Sequence, residues 1–455
     1  MTTRKFFMIS LVRIPIFATK FKIPYYTMRI LLLGSGGREH ALAWKLSQSV
    51  WTNPLYIAPG NPGTAQCGVN VNLKLSDFDA IGKFCIYEKI EMVIVGPEEP
   101  LVNGLYDYFK ANEELSAIHF IGPSKNGAQL EGSKAFAKAF MMRHDIPTAG
   151  YREFTTDNYE EGIKYLNEHP LPIVLKADGL AAGKGVVICQ SHLEAIAEFE
   201  LMIQRAKFGE ASKKVVVEQF LTGIELSVFV LTDGKSYLLL PEAKDYKRIG
   251  VGDKGLMTGG MGAVSPVPIA TPGFMHKVEE RIIKPTVNGL HQEGIEYTGF
   301  IFFGLINVDG DPFVIEYNCR MGDPETEVVI PRLENDLVGL CVAASQKELH
   351  LVNIQADPRS AATVVAVSRG YPAGYNKGEE ITGLDENYGK QTQIFHAGTK
   401  EQDGKIVTDG GRVFCVTSFG ENMEEAVNTS LDVLQYVTYD GIYFRNDIGF
   451  EFIGK

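Results

Sequence analysis

No run of 18 or more apolar residues occurs in this 455-residue chain, so no membrane-spanning helix is expected. No two of its six cysteines (Cys67, Cys85, Cys189, Cys319, Cys341, Cys415) form a CxxC pair. That spacing excludes a zinc ribbon and a disulfide framework, and it suits a reducing, cytoplasmic compartment. Internal repeats, heptads and low-complexity linkers are missing as well. Nor is there an excess of positive charge: 44 Lys and Arg against 56 Asp and Glu leave −12, which argues against a nucleic-acid coat. What remains is an ordinary globular composition, long enough for roughly three domains.

Acid is absent from one stretch altogether. Residues 1–27 hold Arg4, Lys5, Arg13, Lys20 and Lys22, which leaves −17 for the rest of the chain. A basic, acid-free leader has the character of a transit peptide. An upstream start is favoured instead, because Met28 opens a clean strand, Arg29-Ile30-Leu31-Leu32-Leu33-Gly34. Residues 1–27 are therefore expected to be a basic extension, disordered or not native, outside the fold.

From Met28 onward short apolar runs alternate with helical stretches. Strands are expected at 29–34, 54–58, 92–96 and 118–122, with helices at His40 to Gln48 and Leu101 to Lys110. Continuous apolar strands separated by helices predict a parallel α/β sheet over 28–129. Such sheets take ligands beyond their strand C-termini. Those ends carry the turns Gly34-Ser35-Gly36-Gly37-Arg38-Glu39-His40, Ala58-Pro59-Gly60-Asn61 and Gly96-Pro97-Glu98-Glu99.

A second unit, 130–350, begins at Leu130-Glu131-Gly132-Ser133-Lys134 with a helical run to Arg143. It continues as strands rather than α/β alternation, at 172–177, 186–189, 215–221, 225–232, 237–240, 298–307 and 312–318. Asp233-Gly234 and Asp309-Gly310 predict hairpins, and a single helix is expected from Glu327 to Ala344. A third unit, 351–455, shows strands at 362–368, 393–396 and 412–417 and a helix at 423–437.

Three motifs carry chemistry. The first turn has the look of a dinucleotide fingerprint, but Glu39 stands where the third glycine belongs and the next strand ends without an acid. It suits a phosphate at a helix N-terminus better than NAD. The second motif runs from Lys176 through Gly179, Ala181, Ala182, Gly183, Lys184 and Gly185. A strand follows it and no Ser or Thr closes it, so it is not a Walker A loop. A glycine-rich hairpin can instead fold over a triphosphate, donating backbone N–H groups, with Lys176 as a fixed charge. In the third, Glu316 and Asn318 alternate onto one face of a strand and offer hard oxygen ligands for Mg²⁺, while Arg320 continues along that face. No Ser-His-Asp or Cys-His constellation is visible.

With these residues in place the chain resembles the ATP-grasp superfamily, and within it the phosphoribosylamine–glycine ligase (glycinamide ribonucleotide synthetase) family. The likeness extends through Thr258-Gly259-Gly260-Met261-Gly262, His396-Ala397-Gly398-Thr399, Gly410-Gly411-Arg412-Val413 and Asp447-Ile448-Gly449, and so covers residues 28 to about 453. It implies a Rossmann-like N-terminal domain, an ATP-grasp core with its glycine-rich hairpin subdomain at about 150–220, and a small C-terminal α/β domain. It also implies that ATP, glycine and 5-phosphoribosylamine give glycinamide ribonucleotide, ADP and phosphate through glycyl phosphate, with Mg²⁺ or Mn²⁺. A monomer without nucleic-acid or membrane partners is expected.

Carried over by the resemblance, Lys134, Lys176 and the 179–185 loop hold ATP phosphates. Glu218, Phe220 and Leu221 meet the adenine, and Glu225 the ribose. Glu316 and Asn318 bind the metal, and Arg320 and Asp323 face the reacting groups. Gly36, Gly37, Gly96, Pro97, Glu98, Asp245, Lys247 and Arg248 serve phosphoribosylamine. The chain departs from the family at Met257, where Asn is usual, and at Ile224, where Glu often precedes the ribose-binding Glu. The main alternative is another ATP-grasp ligase or carboxylase acting on a different acid. A nucleotide-binding regulator and an NAD oxidoreductase are weaker alternatives.

Overall fold

Along Met28–Gly34, Ile30 and Leu32 pack into one apolar core while Leu31 and Leu33 pack into another, all four fully buried. A strand whose side chains alternate between two cores must lie inside a sheet covered on both faces. In the computed structural model, which describes residues 27–179, 185–205, 207, 209 and 214–454, that strand is the centre of a parallel sheet. The order is Val69–Asn70, Thr52–Pro59, Met28–Gly34, Met92–Val95, His119–Ile121, as an α/β unit requires.

Two helix boundaries differ from the sequence reading. The first helix is Gly37–Ser47 and starts directly from the glycine turn, because Glu39 bonds back to the Gly36 N–H and caps it. The expected helix from Leu101 to Lys110 is two, Glu98–Val102 and Leu105–Ala111, broken at Gly104 with its φ of +94°.

The next segment contains helices that the strand reading overlooked. Tyr159–Glu168 and His192–Ile203 cover an antiparallel sheet ordered Tyr151–Thr155, Lys214–Gln219, Ile173–Ala177, Val186–Cys189. Ala195, Phe199, Met202 and Ile203 recur at helical spacing and pack with Phe154 and Leu175 into a separate core. A second antiparallel sheet runs Tyr237–Leu239, Ile224–Thr232, Gly299–Val308, Asp311–Asn318. Its Asp309-Gly310 hairpin has φ of 52° and 88°, the left-handed pair that a two-residue turn demands. Pro272–Val278 and Lys284–Gln292, joined by a π turn at Glu279–Ile283, pack beneath this sheet.

The single helix expected from Glu327 to Ala344 is also two, Thr326–Arg332 and Leu337–Ser345. Pro331 has no N–H to continue the ladder, and Asp336 caps the second helix by accepting from the Gly339 N–H at 3.0 Å.

The C-terminal sheet is ordered Lys244–Asp245, Gly262–Ser265, Ser360–Val367, Arg412–Gly420, Thr392–His396, all antiparallel, with Met423–Val433 packed on it. It takes strands from both sides of residue 351 and so joins the last unit to the one before it. All six cysteines are free thiols. No helix among the described residues is long and apolar enough to cross a membrane.

Candidate active site

Strand alternation places Glu316 and Asn318 on one face of Asp311–Asn318, the edge strand that bounds a cleft with the hairpin sheet. Opposite Glu316 in the ladder stands Gly304, where a Cβ would come within 3.0 Å of the Glu316 Cγ. The neighbouring strand thus leaves room above the carboxylate and contributes no acid. Glu316 shares its pocket with Glu225, Asp245, Lys247 and Ser227. Lys247 lies 3.1 Å from Glu225 Oε2 and 3.7 Å from Asp245 Oδ1.

The other wall of the cleft is built on lysines. Lys176 Nζ is 3.0 Å from Glu218 Oε2 and donates to the Ile315 carbonyl at 3.1 Å, tying the hairpin sheet to the Glu316 strand. Lys134 Nζ donates to the Gly179 carbonyl at 2.9 Å. Asp178 receives the Ser133 hydroxyl at 3.0 Å and the Ala135 N–H at 3.1 Å, so helix Lys134–Arg143 is bolted to the hairpin base. Ala177 N–H to the Gly185 carbonyl, 2.8 Å, closes the base. Ala181, Ala182, Gly183 and Lys184 lie outside the described residues. Phe220 and Glu225 are exposed and Leu221 half-buried, along the rim where Lys214–Gln219 turns into Ile224–Thr232.

The floor is formed by the turn at 319–325, which follows strand Asp311–Asn318, and the N-terminal sheet. Arg320 reaches Glu131 at 2.8 Å and Glu98 at 3.4 Å. Burial pushes the Glu98 carboxyl up, but Arg320 and Arg38 outweigh it and hold the group below the usual carboxylate range. Arg38 pairs with Glu39 at 2.6 Å and donates to the Met321 carbonyl at 3.2 Å. Asp323 is held by Arg412 at 2.9 Å, and a Cβ on Gly36 would stand 3.3 Å from the other Asp323 oxygen. Gly36 therefore stands directly against Asp323, whereas Gly37 stands against Glu327 in the helix that follows. Gly96 faces Glu39, and Pro97 opens the short helix carrying Glu98.

Between floor and pocket sits Glu325, which accepts from the Ser227 hydroxyl at 3.1 Å. Burial, then the Asp245 charge, pushes its carboxyl up to about 7. Glu327, beside Gly37, is buried with its Oε2 unpartnered, and burial followed by the Asp323 charge raises it far above an ordinary carboxylate.

The residues expected on the phosphoribosylamine side divide. Glu98 pairs with Arg320 and Gly36 stands against Asp323, whereas Gly37 meets Glu327, Gly96 meets Glu39, and Pro97 opens the helix of Glu98. Asp245 and Lys247 line the pocket of Glu225 and Glu316 instead, because the short strand Lys244–Asp245, at the edge of the C-terminal sheet, and the loop after it pass over that pocket. Arg248 donates to the Gly255 carbonyl within its own hairpin at 2.8 Å. Sequence reasoning missed Lys138, 3.1 Å from Glu218 Oε2 and one helical turn beyond Lys134; that i, i+4 spacing was the available signal. It also assigned no part to Glu131, Arg38 or Glu325, whose partners lie in distant segments.

The donor set fits a hard divalent cation. A carboxylate and a carboxamide stand side by side, while among the described residues no three His, Cys, Asp or Glu are placed to cage a metal. Two protein oxygens completed by phosphate and water are the coordination that Mg²⁺ favours.

Comparison with known proteins agrees with this architecture. Models of the phosphoribosylglycinamide synthetase N domain, ATP-grasp (A) domain and C domain match residues 28–131, 132–326 and 361–451. Phosphoribosylamine–glycine ligases of Vibrio parahaemolyticus and Haemophilus influenzae are each 46% identical over 431 residues, covering 94% of this chain and 99% of the relative. The crystal structure of the Thermotoga maritima phosphoribosylamine–glycine ligase superposes with a TM-score of 0.79 at 36% identity, covering 92% of this chain and all of that one. A biotin carboxylase from Campylobacter jejuni, at 15% identity and a TM-score of 0.69 over 93% of this chain and 94% of its own, shares the fold.

Proposed function

The chain belongs to the phosphoribosylglycinamide synthetase family, whose reaction joins glycine to 5-phosphoribosylamine in purine biosynthesis, and we propose that it does so through a glycyl phosphate formed in the cleft of Glu316, Asn318, Arg320 and Asp323. It is an ATP-dependent carbon–nitrogen ligase. An oxygen of the glycine carboxylate attacks the γ-phosphorus, the bond to the β,γ-bridging oxygen breaks, and ADP leaves. The amine of phosphoribosylamine then attacks the acyl carbon, the carbon–oxygen bond to phosphate breaks, and the nitrogen loses a proton. Phosphoryl transfer of this kind calls for positioning and charge neutralisation rather than a covalent nucleophile, in keeping with the residues present.

Lys134 and Lys176 meet the ATP phosphates, and the unpartnered Glu218 Oε1 takes the adenine amino group beside the backbone of Phe220 and Leu221. Glu225 holds the ribose. Glu316 and Asn318 hold Mg²⁺, or Mn²⁺ in its stead, which when bound offsets charge on the phosphoryl oxygens. Arg320, fixed by Glu131 and Glu98, faces the transferring group. Asp323, oriented by Arg412, faces the incoming amine, and the Gly36-Gly37 turn and Glu98 receive phosphoribosylamine. This reading takes residues 28–129, 130–350 and 351–455 as the three units, and the protein as a cytoplasmic monomer.

The observation that carries the assignment is the match of residues 28–131, 132–326 and 361–451 to the three family domains in order. Phosphate release with ATP, Mg²⁺ and phosphoribosylamine tests it: release is expected only when glycine is added. Release independent of glycine, or seen only with bicarbonate, overturns it in favour of an ATP-grasp carboxylase.

A further inference from the structure

Lys247 is the cation that the metal pocket already contains. It comes from the loop after Lys244–Asp245, and its ammonium lies 3.1 Å from Glu225 Oε2 and 3.7 Å from Asp245 Oδ1, in the pocket lined by Glu316. Asp245 is buried and has no other ion pair among the described residues; Glu225 likewise has only Lys247. Along the ladder, the strand paired with Glu316 offers Gly304 and no acid. Lys244 and Lys176 also act on Glu225, but Lys247 is the lysine that lines the pocket and stands in ion-pair contact with both carboxylates.

We propose that Lys247 excludes the divalent cation from the nucleotide-free pocket and gives way only when a polyphosphate arrives with the metal. This deepens the metal reading of Glu316 and Asn318 and rests on it. An ammonium in the pocket repels a second cation and cancels part of the carboxylate field that would attract one. A triphosphate reverses both effects: it brings its own oxygens to the metal and gives Lys247 a new anionic partner. Binding is then ordered, with metal entering as its nucleotide complex. Lys247 acts here on the pocket's charge, as a positioning residue, and its effect is visible without turnover.

The test is Mn²⁺ binding followed by electron paramagnetic resonance on the full chain, with and without ADP. Wild type is expected to take up Mn²⁺ only with ADP present. Lys247→Met is expected to bind Mn²⁺ at least tenfold more tightly than wild type in the absence of nucleotide. Lys247→Arg, which keeps the charge, retains the wild-type exclusion. Circular dichroism and the melting temperature of each variant establish that it is folded. Tight nucleotide-free binding by wild type, no gain in Lys247→Met, or a gain shared by Lys247→Arg overturns the inference while leaving the metal site standing. A protein that binds no Mn²⁺ even with ADP overturns the metal reading itself, and the inference with it.

Discussion

Lys138 and Lys176 end 3.1 and 3.0 Å from the same oxygen of Glu218, and the other oxygen of that carboxylate meets no protein partner. All three side chains are buried, at 2%, 5% and 3% exposure. One carboxylate thus serves as counter-charge to two lysines in the cleft wall, which stays net positive there, and still presents a free acceptor. Burial, partly offset by Glu218, pushes Lys138 down to about 8.

Glu218→Gln is therefore expected to be the costly change in this triad. It leaves two buried ammonium groups without a counter-charge, a loss of about 3–5 kcal/mol by comparison with other broken buried pairs. Lys138→Met removes a lysine that burial already pushes down to about 8 and is expected to cost less. Urea denaturation gives the ranking, and ATP titration adds a second reading: Glu218→Gln weakens ATP, whereas equal stability and equal ATP affinity would refute the role of the carboxylate.

Glu39 explains two glycines at once. A Cβ on Gly96 would lie 2.1 Å from Glu39 Oε1, and one on Gly34 would lie 2.3 Å from Glu39 Cγ. Gly96→Ala is expected to destabilise the protein by about 1–3 kcal/mol, the usual range for overpacking. Adding Glu39→Ala removes the obstruction, so the double variant should cost clearly less than the sum of the singles. Additive losses in thermal denaturation would place the strain elsewhere.

Much of this site was legible from the chain alone, and the reason is locality. The Glu316–Asn318 face, the Asp309-Gly310 hairpin and the parallel strands from Met28 depend on residues within a few positions of one another. The rest depends on distant partners. Lys244–Asp245 and Gly262–Ser265 join a sheet whose next strand begins about a hundred residues later, at Ser360. That pairing brings Asp245 and Lys247 over Glu316, and no spacing rule anticipates it. Glu131 acquires its meaning from Arg320, 189 residues away. Helices Tyr159–Glu168 and His192–Ile203 were overlooked for another reason: the β-rich runs around them dominated a periodicity that was present.

Glu316→Gln keeps size and hydrogen bonding while removing the charge that a hard cation needs. Turnover is expected to fall at least about a hundredfold, in line with losing several kcal/mol of charge stabilisation. Thermal stability should change little, because Glu316 is only half-buried and makes no ion pair among the described residues. Wild-type-like turnover in the phosphate-release assay would remove the metal role from this residue.

Acid should loosen the joint between the N-terminal and C-terminal units. His40 Nδ1 accepts the His396 backbone N–H at 2.8 Å, so that nitrogen must be unprotonated in the folded protein. Both rings are buried; burial, then the charge of His396, pushes His40 down to about 3, and burial lowers His396 to about 4. In the unfolded chain each imidazole titrates near about 6.5. Below that pH the unfolded state takes up protons that the folded state refuses, so stability falls as pH drops from about 6.5 toward about 4. The linkage amounts to about 2 kcal/mol per histidine at pH 5. His40→Gln and His396→Gln, which cannot titrate, should each flatten the decline by about that amount. The measurement is the free energy of urea unfolding at pH 7 and pH 5, where the carboxylates are common to all variants and cancel. Parallel pH profiles for wild type and both variants would show that the two rings are not held neutral, and that the joint owes its acid sensitivity to other groups.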